Sequence, residues 1–312
     1  MPAEQPVLSS AAPLWVVVGP TAVGKTAFAI ELAEAAGGEI VSADSRLLYR
    51  GMDIGTAKPS PQELARVPHH LIDVTTPDKP WPLPQYQAAA LAAIRDIQAR
   101  GRQPLLVGGT GQYIRAVVEG WDIPPGDPGG QVRAALEADL ARDGVGVLAA
   151  RLRQVDPASA ERVDLRNPRR VVRALEVALT TGGSFVAQRR KTAPAFASRQ
   201  IGLTRPRPEL YARVDARVEA MLKAGLVAEV EALKAQSFGW ELPAMSALGY
   251  RQIGQYLRGE CSLAEAVQRI KRDTRVFVRR QANWFKPDDR AIRWFDAAQI
   301  TTAAAIQALG AK

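Results

Sequence analysis

Cysteine and histidine, the side chains behind most metal and redox centres, are nearly missing from this chain: one Cys261 and two adjacent histidines, His69 and His70. A lone cysteine excludes an intrachain disulfide and a thiolate zinc site. Neighbouring histidines rarely converge on one ion, so core or surface roles are expected of both. Aromatics amount to 6%, and no apolar run approaches the ~18 residues of a membrane span. The first thirteen residues lack the basic stretch of a secretory leader, and a cytoplasmic protein is the expectation. Acidic charge is scarce too, 32 Asp and Glu against 41 Lys and Arg. The excess is concentrated: residues 162–213 hold twelve basic side chains against three acids, and residues 251–290 ten against five. Such clusters are the electrostatic footprint of a polyanionic partner, nucleic acid first among them.

Against these shortages stands one dense motif, Gly19-Pro20-Thr21-Ala22-Val23-Gly24-Lys25-Thr26. It matches G-x-x-x-x-G-K-[ST], and its setting is the one the motif needs: a short β-branched apolar run before it and helical spacing of Phe28, Leu32 and Ala36 after it. A strand, a glycine-bounded turn and a helix N-terminus present N–H groups and a positive dipole end to an anion. Lys25 adds a point charge and Thr26 a hydroxyl suited to Mg²⁺. A diphosphate or longer binds here, with ATP the default ligand of the motif alone.

Strands alternating with helices over the first 110 residues predict a parallel sheet with both faces covered. Expected strands lie at residues 14–18, 38–43, 70–74 and 104–107, and an amphipathic helix at 85–100. The breaker-rich run at 123–130 opens an Ala/Arg/Leu-rich helical stretch, with Asp156-Pro157 and Asn167-Pro168 starting new helices. Residues 199–204 read as a return to the sheet, followed by long helices over 209–235 and 262–285. The fold class is therefore α/β, a P-loop-type parallel sheet core flanked by helices with a mostly helical inserted domain. Residues 1–120 and 199–312 are expected to form the core and 121–198 the insertion.

Ligands of such sheets gather at the carboxyl ends of the strands. Asp44 follows the second strand and projects there, where it could ligate Mg²⁺, accept a proton or cap a helix. Gly108-Gly109-Thr110-Gly111 follows the fourth, its glycines suited to close approach and Thr110 offering a hydroxyl. In the last long helix, Arg272, Arg275 and Arg279 share one face, while Ile270, Phe277 and Trp284 share another expected to pack on the core.

Taken together, GPTAVGKT (19–26), SADS with LYRGMDIGTAKP (42–59), PHHLID (68–73), LLVGGTGQY (105–113), NPRRVVRALEV (167–177), ALGYRQ (247–252) and TRVFVRRQANWF (274–285) make the chain resemble bacterial tRNA dimethylallyltransferases. The resemblance runs in family order over nearly the whole chain. It implies that the loop holds dimethylallyl diphosphate rather than ATP, and that Asp44 takes the proton from the N6 amine of adenosine-37, beside the tRNA anticodon. Lys25 and a Thr26-bound Mg²⁺ would stabilise the leaving group. The implied tRNA contacts are Asp44, Ser45, Arg46, Leu47 and Thr110 in the core, and Arg133, Arg169, Arg170, Val171, Val172 and Arg173 in the insertion. Near the C-terminus they are Ser246, Ala247, Leu248, Gly249, Tyr250, Arg251, Arg279, Arg280 and Gln281. Two positions depart from the common family pattern, Leu47 in place of Gln and Gln112 in place of Leu. The expected partners are the tRNA anticodon stem-loop and dimethylallyl diphosphate, with no membrane, and the expected state is a monomer. An adenylate isopentenyltransferase and a P-loop nucleotide kinase are the competing enzyme classes. The Arg-rich helices disfavour the first and the absence of a second Mg²⁺-binding Asp after a later strand the second.

Overall fold

Apolar runs that are buried on both sides, rather than alternating polar and apolar, build the centre of the molecule. In the computed structural model, which describes residues 12–310, the first such run is β1 (Leu14–Val18), buried throughout. It leads through the glycine-rich turn to α1 (Lys25–Ala36), β2 (Gly38–Ala43), the short α2 (Pro61–Arg66) and β3 (His69–His70). α3 (Leu83–Ala99), β4 (Gln103–Gly108) and α4 (Gly111–Val118) complete the first half of the core. An inserted stretch carries β5 (Trp121–Asp122), α5 (Gln131–Val155), α6 (Pro157–Arg162), α7 (Pro168–Thr181), α8 (Phe185–Gln188) and β6 (Arg190–Lys191). The chain then returns with β7 (Ser198–Thr204), α9 (Arg207–Lys223), α10 (Leu226–Ala235), α11 (Tyr250–Leu257), α12 (Leu263–Gln281), β8 (Ile292–Asp296) and α13 (Thr302–Gly310). Two compact units result, residues 1–118 with 195–312, and residues 119–194.

The first unit is organised on a six-stranded sheet of order β3-β2-β4-β1-β7-β8, parallel at every pairing. Successive side chains leave a strand on opposite faces. Trp15, Val17, Ile40, Leu105 and Val107 accordingly pack with Ala29, Ile30 and Leu32 of α1. Leu14, Val16, Val41 and Leu106 pack on the other face with Tyr86, Ile94 and Ile97 of α3 and Ile114 of α4. A separate core joins α9 to α12 around Val218, Leu226, Val230, Tyr250, Ile253 and Ile270.

Sequence and structure part company at particular residues. The third strand stops after two residues because Leu71 and Asp73 take positive φ, 62° and 56°, which ends an extended run. The long helix expected over 209–235 is two, broken at Gly225 with φ 100°. β8 and α13 were not anticipated; IRWFD has too few residues to show a period. Ser198–Thr204 does return to the sheet, and the helix expected over 262–285 is α12, with Ser262 as its cap, the hydroxyl accepting from Glu265 N at 3.2 Å. Residues 1–11, which carry most of the stretch read above for a secretory leader, lie outside the described residues. Among the described residues no helix is long and apolar enough to cross a membrane.

In the second unit, Asp156 and Asn167 cap α6 and α7 as the Asp-Pro and Asn-Pro pairs predict. Its core joins Leu136, Leu148 and Leu152 of α5 to Val171, Val172 and Leu175 of α7. α5 is interrupted at Gly144, with φ 79° and ψ 171°.

Candidate active site

The turn after β1 is shaped by two backbone requirements. Gly19 has φ 150°, and a Cβ there would lie 2.6 Å from the carbonyl oxygen of Leu203 on the neighbouring strand. Gly24, at φ 109°, starts α1 with no side-chain cap, and the first helical turn holds no acid. The orphan N–H groups of that turn are therefore not claimed by a side chain of the protein, which leaves them for an anion. The Lys25 ammonium curls back over the loop and donates to Gly19 O at 2.9 Å and Pro20 O at 2.8 Å. Burial pushes its pKa down to about 8; Asp44 opposes the shift and Arg217 adds to it.

Two arginines that the sequence did not single out belong to this site. Arg213 and Arg217 stand one turn apart on α9, so both project from the same face. Arg213 donates to Ala22 O at 2.7 Å, inside the phosphate loop. Arg217 reaches the space beyond it, where desolvation and the neighbouring Arg213 charge lower its pKa. No local pattern marks them, because what singles them out is the packing of α9 beside the loop.

The loops after β2 and β4 are tied to each other. Ser45 N donates to the Thr110 hydroxyl at 3.0 Å, and Thr110 N to Ala43 O at 3.1 Å. Asp44 accepts from Arg46 N at 2.8 Å through Oδ1 and so closes a turn; no helix follows, so it is not a helix cap. Gln281, buried at the end of α12, joins the set: its Oε1 accepts from Thr21 N at 2.8 Å and its Nε2 donates to Gly109 O at 3.1 Å. Gly109 and Gly111 line the larger of the two cavities described below and also make room for this packing. A Cβ on Gly109 would lie 2.4 Å from Gln281 Nε2, and one on Gly111 2.2 Å from Trp284 Cγ.

Two cavities open onto these loops. The smaller, about 290 Å³, is lined by Lys25, Thr26, Ser42, His69 and Arg213, with Leu47 and Ile72 supplying apolar wall. The larger, about 650 Å³, takes in Arg46, Thr110, Phe277, Arg280 and Trp284. Thr21, Asp44, Thr56, Ala57 and Arg217 line both, so the carboxylate stands where the two spaces meet. The wall at 55–57 is held from behind by Glu229. Its carboxylate accepts from Asp53 N (2.9 Å), Ile54 N (2.7 Å), Gly55 N (3.0 Å) and the Tyr250 hydroxyl (2.6 Å). Lys58, buried between Asp53 and Asp73, anchors the far end of the same loop.

The implied tRNA contacts divide into those on the larger cavity and those packed away from it. Ser45, Arg46, Thr110, Arg251 and Arg280 line it, as do Ser246, Ala247, Leu248 and Gly249. Leu47 instead faces the smaller cavity. Tyr250 is fully buried on Glu229, and Gln281, which does line the larger cavity, is committed to the two loops, so neither side chain is available to a nucleic acid without losing those bonds. Arg279 is exposed beside the Tyr211 hydroxyl at 3.3 Å. Arg275 is paired with Asp215 of α9, and Arg251 and Arg272 both reach Asp273, at 3.0 Å each. The aromatic face of α12 also differs from expectation. Ile270 is buried, whereas Phe277 and Trp284 remain 40% and 36% exposed and turn toward the larger cavity. In the second unit, Val171 and Val172 are core residues rather than contacts. Arg133 and Arg173 are held by the buried Glu176, at 3.1 and 3.0 Å, while Arg169 and Arg170 stay exposed.

The arrangement can hold a phosphorylated group on one side of a carboxylate and a polyanion-borne group on the other. The family model described as IPP transferase matches residues 47–288, and one described as isopentenyl transferase matches residues 12–76. A tRNA dimethylallyltransferase of Roseiflexus sp. (strain RS-1) is 54% identical over 274 residues, 88% of this chain and 90% of that protein. Among solved structures, the tRNA isopentenylpyrophosphate transferase of Bacillus halodurans superposes with a TM-score of 0.69 at 36% identity, covering 95% of this chain and 93% of that one. A eukaryotic dimethylallyltransferase acting on tRNA gives a TM-score of 0.77 at 25% identity, covering 92% of this chain and 74% of the other. On the family model and the 54% identity alike, the chain belongs to the IPP transferase family.

Proposed function

We propose that the protein transfers the dimethylallyl group of dimethylallyl diphosphate to the N6 amine of adenosine at tRNA position 37, releasing diphosphate. The observation that carries this reading is the meeting of the two cavities at Asp44. On the smaller side the diphosphate lies against the N–H groups of α1, Lys25, Arg213 and Arg217, with the five-carbon group toward Leu47 and Ile72. On the larger side an adenine splayed from a single-stranded loop enters past Thr110 and Arg280. The C1–O bond to diphosphate breaks, a bond forms from N6 to C1, and the N6 proton passes to an Asp44 carboxylate oxygen. Negative charge grows on the leaving oxygen, where the cationic side chains and loop amides are already placed to meet it. Asp44 removes the proton that would leave the alkylated amine cationic.

Magnesium fits the smaller cavity. Thr26 is exposed there with a hard hydroxyl oxygen, and no cluster of three carboxylates, histidines or cysteines is present among the described residues. A Thr26-held Mg²⁺ would then take most of its ligands from diphosphate oxygens and water, its usual habit, and supply charge neutralisation to the leaving group.

The test is incubation with labelled dimethylallyl diphosphate and either unmodified tRNA or AMP, beside a phosphoryl-transfer assay with ATP. Label in adenosine-37 of tRNA is expected. Label only in AMP, or transfer of phosphate from ATP, would replace this reading with one of the competing classes.

A further inference from the structure

The side chain of Ser42 has no task in the folded protein. Its backbone is fully occupied: β2 pairs with β4, Ser42 opposite Val107, and the Tyr86 hydroxyl donates to Ser42 O at 3.0 Å. Its Oγ, in contrast, is buried with no hydrogen-bond partner among the described residues, in a residue only 3% exposed. Such an atom costs folding stability, since it surrenders its bonds to water and receives none in return. Three other buried side-chain atoms share that condition, Trp15 Nε1, Trp81 Nε1 and Thr180 Oγ1, and none of those residues lines either cavity described above. Ser42 does.

Strand geometry explains its aim. Val41 and Ala43 point into the core under α3, so Ile40, Ser42 and Asp44 share the opposite face, toward α1. All three line the smaller cavity, together with Lys25 and Thr26. A strand buried on both sides would be served by alanine or valine at this position.

We propose that Ser42 is a substrate-binding residue whose hydroxyl donates a hydrogen bond to a diphosphate oxygen of the allylic substrate. The proposal rests on the function given above, because that function supplies the anion. A hydroxyl suits the position better than a second ammonium. It supplies one donor without adding positive charge beside a Lys25 ammonium already disfavoured by burial and, to a lesser extent, by Arg217, and it remains neutral after diphosphate has left.

Binding of inorganic diphosphate, with and without MgCl₂, to the wild-type protein and to Ser42→Ala, followed by calorimetry, tests this together with thermal melting of both unliganded proteins. The expected outcome is a Kd raised about tenfold in the variant, the loss of one hydrogen bond to a charged group. Melting of the free variant should be unchanged or slightly higher, since an unpaired buried hydroxyl has been removed. Equal diphosphate affinity for the two proteins overturns the proposal and leaves the proposed function standing. A variant that melts several degrees lower also overturns it, by showing that the hydroxyl serves the fold. Failure of the wild-type protein to bind diphosphate at all removes the proposed function, and this inference with it.

Discussion

Replacing Gln281 by leucine separates a structural bridge from a nucleic-acid contact. The two side chains are similar in volume, so the change mainly deletes two hydrogen bonds, from Thr21 N at 2.8 Å and to Gly109 O at 3.1 Å. Gly109 is buried and Thr21 half-buried, so the carbonyl loses its bond outright while the amide regains part of its hydration. An unsatisfied buried group costs about 1–3 kcal/mol, which gives about 2–4 kcal/mol for the pair. Urea unfolding should show a midpoint lowered accordingly with an unchanged slope. KM for dimethylallyl diphosphate should rise as well, because Thr21 belongs to the phosphate loop. If stability stays within about 0.5 kcal/mol while tRNA affinity falls, the bridge is incidental and Gln281 is a tRNA contact after all.

Arg280 lines the same mouth but is exposed and has no acidic partner among the described residues. Arg280→Ala should leave stability within about 0.5 kcal/mol and reduce the salt dependence of tRNA binding by about one unit of slope, measured by filter binding; an unchanged slope would remove it from the interface. Arg217→Ala should weaken inorganic diphosphate about tenfold or more in calorimetry, as loss of a charge-assisted contact would, and should leave tRNA affinity unchanged; the reverse pattern would assign Arg217 to the base. Glu39 supplies a pH signature. Hydrogen bonds from Arg100, then His70, hold its pKa down to about 2. A carboxylate near 4.3 when unfolded and depressed when folded stabilises above the higher value and loses that contribution as pH falls through the lower one. Between about pH 4.5 and 2 the wild-type protein should lose about 1–2 kcal/mol more than Glu39→Gln, the half-exposed Arg100 screening the pair; parallel curves would contradict the assignment.

How much of this was visible in the sequence depends on whether the signal was local. The phosphate loop, Asp44 after β2, Thr110 after β4 and the helix starts at Asp156 and Asn167 all rest on residues near one another in the chain, and the structure places them in the fold as read. Long-range pairings were invisible. The Arg275 partner is Asp215, sixty residues away on another helix, so a face read as free for phosphate is partly neutralised. Glu229 and Arg213 carry no motif, and Ser42 opens the SADS stretch without a role of its own there. Their importance comes from what they meet: three loop amides, a loop carbonyl and a cavity. Seven-residue spacing placed Phe277 and Trp284 beside Ile270, but a shared face does not reveal that α12 ends over a cavity rather than a core.

The central claim is that Asp44 works at the junction of a diphosphate site and an adenosine site, and a single-turnover measurement addresses it directly. With labelled dimethylallyl diphosphate and tRNA both bound at saturation, Asp44→Asn should transfer label at least about a hundredfold more slowly than the wild-type protein, the loss of a positioned base. Both substrates should bind within about twofold of wild type, well under the tenfold that 1.4 kcal/mol represents. Transfer at the wild-type rate would contradict the account, and Asp44 would then be only the residue that closes the turn onto Arg46.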